Sequence, residues 1–309
     1  MRHFINIKNI SSKDLRKILN DAKKRKYKRK NYSSLEIDKG APLKGKLLIQ
    51  MFEKSSLRTR ISFFLAIRQL GGSALTLRPD ELHFSKGGEK ISDTAKVISV
   101  YADAFMLRTD NDSKLDEIYK HIKIPLINGL SPSSHPSQIL SDIFTIEEIK
   151  KKKISKLNIC WIGDCNNVLN SLIEASVKFS FKLNIGCPKK YGPSTNILKW
   201  SKENKAKLKI FYDPKLAIKN SDVIITDKVV SMNDRVNKKK KKVHFEKFKI
   251  NKQLIKLAKD NAIFLHCLPR GDEVSDDVFL GKNSKVWTQA SNRVHVQKSI
   301  LLYCLEKLR

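Results

Sequence analysis

The sequence predicts an α/β protein built of two doubly wound parallel-sheet halves. Three observations lead there. At 309 residues the chain has the length of two domains of roughly 150 residues each. Short apolar runs alternate with helical segments from one end to the other, the pattern of parallel strands covered on both faces. Hydrophobic residues make up 40 % of the chain, enough for substantial cores at this size. No run approaches the roughly 18 apolar residues that would span a membrane.

The elements follow in order. Residues 12–24 read as an amphipathic helix, with Ser11 and Asp14 at N-terminal capping spacing. Residues 23–31, nearly all basic or polar, are expected to form a solvated linker or a frayed helix end. Leu47–Met51 reads as a buried strand, and 58–70 as a helix with Ile61, Leu65 and Leu70 on its apolar side, stopped by Gly71-Gly72. Strands at Ala74–Leu77, Ala104–Leu107 and Ile124–Ile127 then alternate with helices at 92–101 and 113–121, and a long helix covers 136–150. A second series opens with the strand Leu157–Gly163, which runs into a turn and a helix at 167–180. Further strands are expected at Lys182–Gly186, Leu208–Tyr212, Asp222–Thr226, Ala262–Leu265 and Val286–Ala290, with a final amphipathic helix at 291–307. The division between the halves falls within 140–150. Lys238–Lys242, five like charges in a row, is expected to be a mobile exposed loop.

Charge and cysteine usage narrow the function. Lys and Arg number 62 against 31 Asp and Glu, a formal net charge of +31. The excess is spread over the whole length, is mostly Lys, and accompanies much Ile and Asn. Those three types rise together in AT-rich coding sequence, so compositional drift accounts for it better than a nucleic-acid surface, which would cluster its cations and interleave aromatics. Five scattered cysteines (Cys160, Cys165, Cys187, Cys267, Cys304) and no CxxC argue against a disulfide framework and a structural zinc site. The first residues hold no apolar core of signal-peptide length, so the expected compartment is the cytoplasm.

Candidate chemistry sits where strands end. Phe52–Arg60 lies between a strand and a helix, so Ser56, Leu57, Arg58 and Thr59 would offer free N–H groups, hydroxyls and a fork-shaped cation to a phosphate. A plain capped helix with surface arginines fits the same residues. Arg108 ends the third strand, on the side where open α/β sheets bind ligands, or it makes a surface salt bridge. His135 and Gln138 can hydrogen-bond a carbonyl or amide. Gly163–Asn167 is another strand-to-helix turn but no GxGxxG, so a dinucleotide site has little support. Asp227, followed by Ser231 and Met232, and the group His266–Arg270 with Cys267 close two later strands. A cysteine there is a nucleophile, a soft polar contact or simple packing.

In their order and spacing these stretches resemble the transcarbamoylases: Ser-x-Arg-Thr-Arg at 56–60, Asp93-Thr94-Ala95, Arg108, His135-Pro-x-Gln138, Asp164 with Asn167, Asp227 with Ser231-Met232, and His266-Cys-Leu-Pro269. The resemblance runs from Arg2-His3-Phe4 to the last helix. It favours the ornithine branch over the aspartate branch, which typically carries His-Pro-Leu-Pro and lacks Ser-Met after the aspartate. It implies a carbamoyl-phosphate-binding domain at 1–142, an ornithine-binding domain at 143–290, and a C-terminal helix at 291–309 packing back on the first domain.

The implied reaction moves the carbamoyl group of carbamoyl phosphate to the side-chain amine of L-ornithine, giving L-citrulline and phosphate, in arginine biosynthesis or the reverse catabolic route. The implied carbamoyl-phosphate set is Ser56, Leu57, Arg58, Thr59, Arg108, His135, Gln138, Cys267, Leu268 and Arg293, with Arg108 and His135 at the developing oxyanion and Gln138 accepting from the carbamoyl NH₂. The implied ornithine set is Asn167, Asp227, Ser231 and Met232, with Cys267 and Asp227 near the reacting amine. No metal or cofactor is implied. The family also implies trimers, closure of the second domain over the first, and a loop from a neighbour reaching the site; His83 is a candidate for that contact.

Three departures stand out. Leu57 replaces the usual Thr, Asn233 stands where Gly usually follows Ser-Met, and Arg270–Val274 is shorter than in many relatives. Leu at position 57 also occurs in relatives that use acylated ornithines, so a transcarbamoylase for another amine is the first alternative. A basic nucleic-acid-binding protein on an inactive scaffold is the second.

Overall fold

A computed structural model describes residues 1–78, 88–230 and 238–308. By contacts the chain divides into two units: Met1–Phe144 with Ser291–Arg309, and Thr145–Ala290.

The first unit runs α1 (Ser12–Lys28), β1 (Leu47–Phe52), α2 (Leu57–Gln69), β2 (Ser73–Leu77), α3 (Ile91–Tyr101), β3 (Ala104–Arg108), α4 (Asp112–His121), β4 (Leu126–Leu130) and the start of α5 (Pro136–Lys150). Its sheet is wholly parallel in the order β2-β1-β3-β4. The chain steps one way from β1 to β2 and then reverses to β3. Right-handed crossovers therefore put α2 on one face and α3 and α4 on the other, and β1 and β3 flank the switch point. Ile49, Met51, Phe105 and Leu107 pack under Ala95, Ile98, Leu115 and Ile118 of α3 and α4. Packing is close at Gly129, where a Cβ would press on Met106 Sδ and lie 3.3 Å from the Leu107 carbonyl oxygen.

The second unit holds β5 (Asn158–Ile162), α6 (Asn167–Phe179), β6 (Lys182–Gly186), α7 (Thr195–Glu203), β7 (Leu208–Phe211), α8 (Pro214–Ile218), β8 (Val223–Asp227), α9 (Lys238–Phe245), α10 (Lys252–Ile255), β9 (Ile263–Cys267) and α11 (Asp276–Phe279). Its parallel sheet has the order β7-β6-β5-β8-β9, with the switch point between β5 and β8. Helix α12 (Val286–Cys304) returns the chain to the first unit.

The structure corrects four expectations. Val286–Ala290 is the start of α12 rather than a strand: Val286, Gln289, Asn292 and Arg293 are buried at helical spacing, and the Gln289 side chain accepts from the His266 N–H at 3.1 Å. Apolar β-branched and aromatic residues at 286–288 imitate a strand until that three-to-four period is counted. Lys238–Lys242 opens α9 instead of forming an exposed loop, and the helical phase turns Lys241 inward.

Helix α1 continues to Lys28 because its basic last turns find partners. Arg25 pairs with Asp21 at 2.8 Å, Lys26 bonds Asn292 at 2.7 Å, and cations suit a helix C-terminus. On α2 the buried side is Phe63, Ala66 and Ile67, leading to Leu70, whereas Ile61 faces outward. The capping expectation holds: the Asp14 N–H donates to Ser11 Oγ at 3.0 Å.

A buried ion pair ties α12 to the loop after α1. Lys298 is fully buried and donates to Asp38 at 2.9 Å, while Arg29 reaches the same carboxylate at 2.7 Å. Burial pulls the Lys298 ammonium down to about 8, against the opposing pull of Asp38. Asp38→Ala strands that ammonium in the interior and is expected to destabilise the chain by about 3–5 kcal/mol, read from urea denaturation. The deficit should shrink as pH rises and the stranded amine sheds its proton.

Candidate active site

In the first unit the strand ends and helix starts converge. Helix α2 opens at Leu57 with Ser56 as its N-cap, and the Ser56 hydroxyl makes no capping bond to the first turn. The first N–H groups of a helix have no partner within it, so this terminus is an anion site in waiting. Leu57 projects outward while Thr59 is buried. Arg108 ends β3 beside Phe52 of β1, and a register shift against β4 falls at Leu107/Arg108. Such a shift re-aims the side chain at a strand end.

Arg293 of α12 is buried and links two of the predicted groups. One guanidinium nitrogen donates to Thr59 Oγ1 at 2.8 Å, and the other donates to Gln138 Oε1. Gln138 in turn donates to Asp142 Oδ1 at 2.8 Å, one helical turn along α5. His135 is buried beside them, and its pKa is held well below the usual histidine range. Burial is the main cause, followed by the charges of Arg293, Arg108 and Arg58. The imidazole is therefore neutral at physiological pH, with one ring nitrogen donating and one accepting. Three guanidinium groups thus act on one neutral imidazole, a cluster of cations and donors suited to a small anion.

In the second unit the switch point does the gathering. Asn166 caps α6, its Oδ1 accepting from Val168 N–H at 3.0 Å and Leu169 N–H at 3.3 Å. Its Nδ2 donates to Asp227 Oδ2 at 2.7 Å, and the Lys228 N–H donates to Asp227 Oδ1 at 2.7 Å. Asn167 is the first residue of α6. Register pairs Asp227 of β8 with Cys267 of β9, and Thr226 with His266; adjacent strands lie about 4.8 Å apart. Burial pushes the Asp227 carboxyl up to about 6, partly offset by His266 and by the Lys228 and Asn166 hydrogen bonds. His266 bonds Glu273 at 2.8 Å. Leu268 follows in a cis bond to Pro269.

The family model described as aspartate/ornithine carbamoyltransferase, carbamoyl-P binding domain, matches residues 2–148, and the one described as Asp/Orn binding domain matches residues 155–304. The chain belongs to the aspartate/ornithine carbamoyltransferase family. It is 42 % identical over 306 residues to the ornithine carbamoyltransferase of Rhizobium johnstonii, covering 98 % of each chain. It is 41 % identical to that of Mesorhizobium japonicum, covering 99 % of each. Among solved structures, the ornithine carbamoyltransferase of Pyrococcus furiosus superposes with a TM-score of 0.91 at 37 % identity, covering 99 % of this chain and 97 % of that one. The anabolic enzyme of Campylobacter jejuni gives 0.90 at 37 %, covering 100 % of both.

Placed on the carbamoyltransferase fold, the predicted residues fall into two groups. Ser56, Leu57, Arg58, Thr59, Arg108, His135, Gln138 and Arg293 all lie in the first unit. Asn167, Asp227, Cys267 and Leu268 lie in the second. Ser231, Met232 and Asn233, and His83, lie outside the described residues.

Sequence reasoning missed three supporting residues. Asn166 bonds Asp227; a cap position two residues before an apolar helix face was the available signal. Asp142 holds Gln138 at i,i+4 spacing, legible once the helix is placed. Glu53 accepts from Lys114 at 2.6 Å and from the Thr109 hydroxyl, which ties the exit of β1 to the exit of β3.

Proposed function

We propose that this chain transfers the carbamoyl group of carbamoyl phosphate to the side-chain amine of L-ornithine, releasing L-citrulline and phosphate. One observation carries the reading: Arg58, Arg108 and Arg293 all act on a buried, neutral His135 beside the open N-terminus of α2. The phosphate takes the N–H groups of the α2 terminus, the Ser56 and Thr59 hydroxyls and the Arg58 fork. Leu57 contributes its N–H but no hydroxyl. The carbamoyl oxygen is read by Arg108, His135 and Thr59, and the NH₂ by Gln138, whose Oε1 keeps a second lone pair beyond the one facing Arg293. The backbone of Cys267 and Leu268, with Arg293, completes that set.

Ornithine is held by Asn167, Asp227, Ser231 and Met232. Its side-chain ammonium has a pKa near 10.4 in water and attacks only as the free amine, so a proton must leave it before attack; Cys267 and Asp227 lie near this amine. Attack on the carbamoyl carbon gives a tetrahedral oxyanion. Arg108 and a neutral, proton-donating His135 stabilise it, each such donor contributing about 3–4 kcal/mol. The intermediate collapses with loss of phosphate, which accepts the amine proton. The chemistry is placed in the cytoplasm, in arginine biosynthesis or its reverse.

The deciding experiment supplies carbamoyl phosphate with ornithine, N-acetylornithine, putrescine or aspartate and measures ureido product. Product from ornithine alone is expected. Product from the acylated amine or from putrescine would overturn the ornithine assignment.

A homotrimer, or a multiple of trimers, accompanies this reading. A closed ring needs two different patches on each subunit, and the first unit exposes two apolar stripes at helical spacing. Ile61 and Phe64 lie on α2, and Val97, Val100 and Tyr101 on α3. Val100, 81 % exposed, is a liability on a monomer. Light scattering should give the trimeric mass for the parent and a smaller one for Val100→Asp; a monomeric parent would refute the assembly.

A further inference from the structure

The lysine run is a sequence feature the proposed reaction leaves unused, and its members are not equivalent. Lys239, Lys240 and Lys242 are exposed, whereas Lys241 is 4 % exposed. Lysine is almost never that buried without a partner. The helical phase of α9 places Lys241 on the same side as Phe245, and Phe248 just beyond continues it into the core of the second unit. Its ammonium donates to Asp164 Oδ2 at 2.8 Å and lies 5.7 Å from the centre of the Tyr191 ring. That ring packs on Phe245 at 5.2 Å. Lys242, by contrast, pairs with Asp272 in an exposed bridge, a kind that contributes little.

Asp164 links α9 to the loop after β5. It sits in the turn between β5 and α6, and its backbone carbonyl takes the Asn166 N–H at 3.0 Å and the Trp161 indole N–H at 3.2 Å. Asn166 then fixes the Asp227 carboxylate and the first turn of α6, which begins at Asn167. An unbroken chain of contacts thus runs from Lys241 through Asp164 and Asn166 to Asp227.

We propose that Lys241 is a positioning residue for the ornithine half-site, acting through Asp164 on the turn that presents Asn166 and Asn167. The proposal rests on the ornithine reading above. Lys241 touches no substrate. Its ion pair holds the Gly163–Asn167 turn in the one geometry that meets both the amino acid and Asp227. A run produced by lysine drift has thereby one member under structural constraint.

The test compares Lys241→Met, Lys241→Arg and Asp164→Asn with the parent. Lys241→Met should raise the KM for ornithine at least tenfold and leave the KM for carbamoyl phosphate within twofold. Lys241→Arg should restore most of the loss, because a guanidinium still reaches the carboxylate. The double variant Lys241→Met/Asp164→Asn should be no worse than Lys241→Met alone. Hydrogen exchange of the Asn166–Leu169 amides should quicken in Lys241→Met and return to the parent rate in Lys241→Arg.

An unchanged ornithine KM, or both KM values rising together as thermal stability falls, overturns the proposal. Should Lys241→Met not fold, Asp164→Asn must reproduce the ornithine-only defect or the proposal fails. A parent that makes no product from ornithine sinks the function reading instead. The exchange rates then still decide whether Lys241 orders the turn.

Discussion

Arg58→Ala is expected to lower kcat/KM for carbamoyl phosphate roughly a thousandfold, about 4 kcal/mol of lost transition-state stabilisation. Arg58 is the second residue of α2, so in the proposed site its guanidinium and the open N–H groups of that helix address the same phosphate. Charge-assisted, bidentate contacts to phosphate are among the strongest a side chain makes. Arg58→Lys should recover only part of the loss, because an ammonium supplies the charge without the fork.

The fold should not suffer. A cation in the first turn opposes the helix dipole, and its removal is worth a few tenths of a kcal/mol in favour of the helix. The variant should therefore melt no earlier than the parent while being nearly inactive. A third readout follows from electrostatics. Arg58 is one of three cations holding the His135 pKa down, so the imidazole should titrate at higher pH in Arg58→Ala, visible by NMR. Parent-like kinetics would refute the phosphate cradle assigned to this terminus.

The architecture was legible because both sheets are parallel and buried. Strands such as Ile159–Ile162 and the Ile263–Leu265 part of β9 are continuous apolar runs between amphipathic helices, and connections are short. What misled was local chemistry overridden by tertiary contact. Val286-Trp287 has strand-forming residues, yet Gln289 and Asn292 need a helix to reach their buried positions. Five lysines repel one another in isolation, yet Asp164 and Asp272 draw two of them to opposite anchors.

Several of the candidate residues could be picked out one by one, since Arg108, Asp227 and Cys267 close strands and Asn167 opens a helix, whereas Arg293 lies inside α12. Their partnerships could not. Arg293 lies 234 residues from Thr59 and 155 from Gln138, and only the return of α12 to the first unit joins them. No spacing rule within one element predicts such a bond.

Asp227→Asn should cost roughly a hundred- to a thousandfold in kcat/KM for ornithine, with the carbamoyl phosphate KM little changed. A desolvated carboxylate paired with the substrate's ammonium is worth several kcal/mol when one partner is removed. The pH dependence makes the assignment specific. Burial raises the Asp227 carboxyl to about 6, so below that pH it is protonated and cannot pair with a cation. In the parent, kcat/KM for ornithine should therefore fall as pH drops through 6, and in Asp227→Asn that limb should vanish. His135 cannot supply it, because its pKa is lowered well below the histidine range.

Stability carries the same signature with the opposite sense. The folded pKa lies above the ordinary carboxylate value of 3.8. The native state therefore holds a proton that the unfolded chain releases, and this contribution is present below about pH 4 and lost as pH rises through 6. Relative to Asp227→Asn, the parent should lose up to about 3 kcal/mol across that window. A residue kept charged at that expense, bonded to the Asn166 cap and paired with Cys267 of β9, fits the proposed contact with ornithine. An acid limb that survives in Asp227→Asn would transfer that role to another group.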